Sequence, residues 1–372
     1  MTTVVVGGGI LGTTLAARLS AGGRRVVLVE AHRFGSGTSA ASFAWINAGN
    51  KHPESYYRLN LAGVREYLAE RPPGYRNSGR LEWATAPAHA ADLERRMATL
   101  TARGYRAEWV DPRRIAPELP TAPDRAALFP DEGVLHPAET VAYRCAEARR
   151  HGARLVEGRT VTSLRSDEAG AVVTLDDGET LAADRVVVAA GTATPRLLGA
   201  ATPLCDHESV GAPGVGLLLR AAAPGLRLRR VVFTSSVHVR PDGPDGLIAQ
   251  ALDLDAQVDP QKEYHPGHPT AEEIIARVRA LLGTDAVTAR SLVVGRRPLP
   301  ADGLPIAGWT DPHRRIYALV THSGVTLAPV LARLVAAELA GEPQEPLAAY
   351  RPQRFATSTA PPVAAPRRPG EQ

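Results

Sequence analysis

Hydrophobic positions change period several times along the chain, and each change marks an element. Thr3 to Val6 is a short apolar run, closed by Gly7-Gly8-Gly9, after which Leu11, Leu15 and Leu19 recur at helical spacing. Gly22-Gly23 ends that helix, and Val26 to Val29 form a second buried strand that stops at Glu30. The pattern predicts a complete βαβ unit. A loop of small residues, Phe34 to Gly49, leads to an amphipathic helix over Tyr56 to Leu68. From Arg71 to Pro137 the pattern is irregular and Pro-rich, with one helix over Ala91 to Arg103, and reads as an inserted piece.

Helical spacing returns over Ala138 to Gly152, and Arg154 to Leu164 reads as one strand. Val172 to Leu175 and Thr180 to Ala182 flank Asp176-Asp177-Gly178, a turn suited to a hairpin, and Arg185 to Ala190 is another buried strand. Three β-type runs, Val215 to Leu219, Val231 to Val239 and Leu247 to Leu252, predict an antiparallel sheet. Ala271 to Leu282 is a helix with one apolar side. Ile316 to Val320, Thr321 to Thr326 and Leu327 to Leu339 repeat the opening order of strand, turn and helix. Beyond Tyr350 the periodicity ends, and 351–372 reads as a disordered tail.

Composition narrows the function classes. At 372 residues, 44% hydrophobic and 22% charged, the chain is long enough for two substructures in one body. Its +4 charge comes almost wholly from Arg, with Lys51 and Lys262 the only lysines and no like-charged block, so no nucleic-acid surface is expected. Cys145 and Cys205 lie far apart without a C-x-x-C, so neither a disulfide scaffold nor a metal site is expected. His265-Pro-Gly-His268 lacks the partners zinc needs. With no apolar run long enough for a bilayer, the chain reads as soluble and cytoplasmic, with no membrane partner.

Gly7-x-Gly9-x-x-Gly12 between strand and helix carries the first chemistry. Gly7 allows the tight turn, Gly9 lets backbone N–H groups approach a pyrophosphate, and Gly12 lets helix and strand pack closely. The helix N-terminus adds positive charge. Glu30, eighteen residues beyond Gly12, is placed to accept from ribose hydroxyls and argues against a 2′-phosphate. This motif alone does not separate NAD from FAD.

Three further motifs do: Gly35 to Ser42 (GSGTSAAS), Val187 to Gly191 (VVAAG), and Arg297-Pro298 followed by Asp302 to Gly308 (DGLPIAG). In this order the chain resembles the FAD-binding D-amino-acid oxidase superfamily over Val4 to Leu339, with glycine oxidase and monomeric sarcosine oxidase nearest in size. The resemblance implies an α/β fold: a Rossmann-like FAD-binding domain with an inserted α+β substrate domain built on an antiparallel sheet. On that mapping 1–80, 138–205 and 290–350 bind FAD, and 81–137 and 206–289 form the substrate domain.

The resemblance implies that Ser39 and Ser42 approach the pyrophosphate and ribityl chain, although ordinary loop capping also accounts for them. It places Val161 against the adenine, and Trp45 and Ile46 near the isoalloxazine. Gly324, Val325 and Thr326 stand at the flavin N1 and C2 carbonyl, where donors stabilise charge that develops on reduction. Contacts from Ile10, Leu11, Ala31, Ala44, Ala190, Gly191 and Asp302 complete the set. The family usually has Gly where Thr321 stands. With no Cys over Ala289 to Ala328 and no His over Gly35 to Asn50, FAD is expected to be non-covalent.

The activity implied is oxidation of a C–N bond in a small amine or amino acid, by hydride transfer to the flavin, with O2 or another acceptor taking the electrons. Arg297 stands where relatives place an Arg that pairs with the substrate carboxylate, a task suited to a planar guanidinium; a structural ion pair is the competing reading. His238 stands where relatives often carry Tyr, and a structural histidine fits equally. Lys51, six residues beyond Trp45, is a candidate cation for oxygen activation, or a solvent-facing lysine. Alternatives are a dehydrogenase of the same superfamily, and oxidation of an amine-bearing RNA or biosynthetic intermediate.

Overall fold

A computed structural model describes residues 1–356. The first three elements are those the pattern predicts: β1 (Thr2–Val6), α1 (Ile10–Ala21) and β2 (Arg25–Glu30). They form the middle of a six-stranded sheet whose order is Ile306–Trp309, Ile316–Val320, Arg185–Val188, β1, β2, Arg154–Glu157. Five strands run parallel and Ile306–Trp309 runs antiparallel at one edge. β1 is apolar at successive positions because both of its faces are covered. Val5 packs against α1 and the final helix, Gly324–Leu339. Val4 and Val6 pack against a three-stranded antiparallel sheet, Val161–Ser166, Ala171–Leu175 and Thr180–Ala183, on the other side.

A second, eight-stranded sheet covers the open end of the first. Its order is Thr288–Arg296, Val215–Ala222, Gly246–Gln250, His238–Pro241, Val231–Phe233, Arg80–Glu82, Ala126–Phe129, Glu108–Val110. Every neighbouring pair is antiparallel except Val231–Phe233 with Arg80–Glu82. Alternation sorts its faces: Leu217, Leu219 and Ala221 join a core with the helix Pro269–Leu282, while Leu218 turns to the opposite face with Trp45 and Phe233.

The structure departs from the sequence pattern in five places. Residues 71–137 are not irregular: besides the helix Pro87–Ala102 they hold five strands of two to four residues. Such strands are too short to display a period, and partners distant in sequence stabilise them. Arg154 to Leu164 is two strands in different sheets, broken where Gly158 takes a φ of +74°. Val231 to Val239 is two strands joined by a turn in which Thr234 Oγ1 accepts from Val237 N at 3.1 Å. Thr288–Arg296, the longest strand, spans positions expected to begin the last cofactor-binding segment, yet pairs along Val215–Ala222. Finally, residues 351–355 are ordered: Pro352–Phe355 form a 3-10 turn, Arg351 bonds Glu338, and Arg354 pairs with Asp302. Residues 357–372 of the expected tail lie outside the described residues.

Candidate active site

The cleft begins where β1 gives way to α1. Gly7 has φ +107°, and a Cβ there would lie 2.3 Å from the Ala189 carbonyl oxygen; a Cβ on Gly12 would lie 1.9 Å from that of Gly7. Strand, turn and helix therefore meet at a distance only glycine permits. The first intrahelical bond runs from Thr13 N to Gly9 O, 3.0 Å, so the N–H groups of residues 10–12 have no acceptor within the helix. Ser39 Oγ accepts from Ile10 N at 3.1 Å, which leaves Leu11, on the cleft wall, to donate to an anion. Glu30 is held by two backbone donors, Gly8 N at 2.6 Å and His32 N at 2.9 Å.

Gly7, Gly9, Ile10, Leu11, Glu30, Ala31, Ser39, Ser42, Val161, Ala190, Gly191, Gly324 and Val325 all line one long cleft. Gly12 does not line it and acts through packing. Asp302 is a correction: its carboxylate accepts from Arg354 Nε at 2.7 Å and Nη2 at 3.0 Å, and it lines neither the cleft nor the pocket beside it. Its place in a glycine-rich motif hid a partner 52 residues away. Arg159 and Arg196, which the sequence reading did not single out, stand on this wall too, with Pro298 of the Arg297-Pro298 motif and His322 of the turn before the final helix.

Thr38, Ser42, His322 and Val325 are shared with an inner pocket that runs beneath the eight-stranded sheet. Ala44, Trp45, Lys51, Arg297 and Thr326 line it, with Phe43, Asn47, Leu217, Leu218 and Gln250. Lys51 is buried, not solvent-facing, and its ammonium stands 5.8 Å from the Tyr56 ring centroid. Tyr56 in turn bonds Ser323 Oγ at 2.7 Å, at the turn before the final helix. Thr326 Oγ1 joins the start of that helix to the strand Trp45–Ile46, accepting from Asn47 N at 3.3 Å.

Arg297 makes a structural ion pair and also lines the inner pocket. Nη2 donates to Asp255 Oδ2 at 3.0 Å, and the guanidinium lies over Gly216, where any Cβ would collide with it. Asp255 Oδ1 also accepts from Leu217 N at 2.9 Å, which ties the pair to the sheet. Burial raises the Asp255 carboxyl above the usual carboxylate range, against the lowering effect of Arg297. The pair is anchored from behind, while Arg297 faces the pocket.

His238 does not line the pocket. It is buried, stacked on Phe233 with centroids 3.7 Å apart and planes within 3°, and burial holds its pKa down to about 3. Its Nδ1 lies 3.4 Å from Gln250 Nε2, and Gln250 is the residue that reaches the cavity. The neutral ring is packed behind the pocket wall and does not reach the cavity.

Beneath Trp45 lies a buried charge cluster that the sequence did not disclose. Glu132 accepts from Trp45 Nε1 at 2.8 Å, Arg80 Nε at 2.7 Å and Tyr105 OH at 2.9 Å. Arg80 also pairs with Glu82, which Arg96 and His89 approach, and Glu82 stays well below the usual carboxylate range because these partners outweigh its burial. The cluster fixes the indole that forms one pocket wall.

The glycine cradle, the Glu30 carboxylate and the open helix N-terminus fit a dinucleotide cofactor, and residues 2–338 match the model of the family described as FAD dependent oxidoreductase, DAO. The chain belongs to the DAO family. A glycine oxidase from Bacillus licheniformis is 24% identical over 92% of this chain and 93% of its own length. Among solved structures, glycine oxidase from Geobacillus kaustophilus superposes with a TM-score of 0.81 at 24% identity, covering 95% of this chain and 98% of that one. Iminodiacetate oxidase from Chelativorans sp. BNC1 gives 0.78 at 23%, covering 94% and 98%. These likenesses show a shared mixed α/β fold, with a mainly parallel sheet and additional antiparallel sheets. Among the described residues no helix is long and apolar enough to cross a membrane, no group of three or more His, Cys, Asp or Glu is placed to hold a metal, and His268 Nδ1 serves as a helix cap, accepting from Thr270 N at 3.1 Å.

Proposed function

We propose that this DAO-family chain oxidises the C–N bond of a small amine or amino acid, holding FAD without a covalent link and releasing an imine, with O2 as the terminal acceptor. The observation that carries the reading is the inner pocket itself. It opens from the cofactor cleft and sets a forked cation, Arg297, and a buried ammonium, Lys51, among apolar walls. The glycine oxidase and iminodiacetate oxidase relatives act, by name, on small amino-bearing acids, which supports the same substrate class here.

Bound FAD supplies the hydride acceptor at its N5. The residues supply the rest. Arg297, fixed by Asp255, binds a carboxylate and orients the adjacent carbon. Phe43, Trp45 and Leu218 exclude water from the pocket. The first turn of the final helix, at Gly324 to Thr326, presents backbone donors and the positive end of its dipole to the cleft. Lys51 places positive charge where reduced oxygen species would form. On this reading 1–80, 138–205 and 290–350 serve chiefly the cofactor and 81–137 and 206–289 the substrate. Cys145 and Cys205, both buried and not in a disulfide, suit a reducing cytoplasm.

Turnover of an amine by the FAD-loaded protein in air, with hydrogen peroxide formed in step, is the expected result. Substrate oxidation without peroxide would instead assign a dehydrogenase that uses another carrier.

A further inference from the structure

The cofactor cleft has to hold an anionic pyrophosphate, and few of its side chains can answer that charge. Glu30, Arg159 and Arg196 line it, together with His32 and His322. Glu30 is itself an anion, already bonded by two backbone donors. Arg159 is engaged through Nε by Asp177 at 2.8 Å. The loop Gly35 to Ser42 brings hydroxyls and no Lys or Arg. Arg196 is left, and its side chain makes no ion pair or hydrogen bond among the described residues. We propose that the Arg196 guanidinium pairs with the pyrophosphate of FAD and sets how tightly the adenylate half of the cofactor is held.

Exposed arginines are common, and the place of this one is what matters. Arg196 follows the Val187 to Gly191 motif, in the short helix Thr194–Leu198. Thr194 is fully buried, and Leu197 and Leu198 pack against the core that contains Val6 and Val161. The backbone is thereby tied to β1, whose end opens the cleft, and to the strand Val161–Ser166. Gly191, Thr192, Ala193 and Leu197 line the cleft on either side of Arg196 in sequence. The N-terminus of α1 offers backbone donors and about half a unit of positive charge, less than a pyrophosphate carries. A guanidinium supplies a full charge and a fork matched to phosphate oxygens. Because Arg196 is solvent-exposed, salt screens that attraction.

This inference concerns the cofactor, and it rests on the proposed reaction only in taking FAD as non-covalent. The FAD-loaded protein is diluted at a series of salt concentrations, and release is followed by the fluorescence of free flavin. Wild-type release is expected to quicken with salt. Arg196→Gln is expected to release FAD about 5-fold faster at low salt and to lose most of that salt sensitivity. Arg196→Lys keeps the charge without the fork and is expected to fall between them. Arg196 is exposed, so neither substitution disturbs the core. Competition then locates the contact. ADP and adenosine are titrated into the FAD-loaded protein, and the ratio of the concentrations that displace half of the FAD measures what the phosphates add. In Arg196→Gln the advantage of ADP over adenosine is expected to shrink about 5-fold. A ratio that stays at the wild-type value overturns the proposal, as does release unchanged in rate and salt dependence. Should acid precipitation leave flavin on the protein, the non-covalent reading fails, and the same ratio is read by calorimetry on the flavin-free full chain.

Discussion

In the proposed reaction Arg297 serves structure and chemistry together. Because Asp255 occupies Nη2 from behind, the guanidinium is already oriented before a carboxylate arrives. Arg297→Lys keeps the charge and loses the fork, so we expect KM for a carboxylated substrate to rise about 10-fold or more with FAD content unchanged, measured by steady-state kinetics. A KM that stays put would make the Asp255 pair its whole role. His238 carries a different prediction. Its pKa is depressed to about 3 from an ordinary 6.5, so between those values the unfolded chain takes up a proton that the folded one refuses. Its contribution is complete above pH 6.5 and lost as pH falls toward 3, at about 1.4 kcal/mol per pH unit. Denaturant unfolding from pH 7 to pH 4 should show a shallower loss for His238→Phe than for the wild type; equal slopes would contradict the burial. Residue type made Arg297, Lys51 and Glu30 visible in the sequence. Gln250 and Glu132 were not, because ordinary polar residues become site residues only through partners such as Trp45, 87 positions from Glu132.

Elements were legible where they are long and buried on a regular face. β1, α1, β2 and the final helix were read with boundaries close to those observed, since periodicity and glycine turns agree there. The short strands of residues 75–135 were not, because pairing across distant chain segments, rather than local pattern, decides them. The glycine turn allows the sharpest test at this scale. A Cβ at position 12 would stand 1.9 Å from the Gly7 carbonyl oxygen, so Gly12→Ala must push α1 off β1. We expect it to lose about 2 kcal/mol or more of stability and to purify with little FAD. Near-normal flavin content and melting temperature would show that the helix can move without cost.

At the scale of the molecule, two sheets built on opposite principles border adjoining cavities: the mainly parallel sheet, covered on both faces, lines the glycine cleft, and the mainly antiparallel sheet contributes Gly216 and Leu218 to the inner pocket, the places the proposed function gives to the dinucleotide and the substrate. The chain after the final helix closes back on this frame. Arg351 and Tyr317 both bond Glu338, and Arg354 clasps Asp302. Arg354→Ala should therefore lower stability by about 1 kcal/mol in chemical denaturation without altering the flavin spectrum; a changed spectrum would return Asp302 to the cofactor site. The central claim is that FAD and an amine meet in the cleft between the two sheets. Its most direct test is anaerobic mixing of the FAD-loaded protein with a panel of small amines, amino acids and their hydroxy-acid counterparts while the oxidised flavin absorbance is followed. The account predicts bleaching by at least one amine or amino acid and by no hydroxy acid. A flavin that binds normally yet stays oxidised with every amine, or that is bleached by hydroxy acids alone, would contradict it.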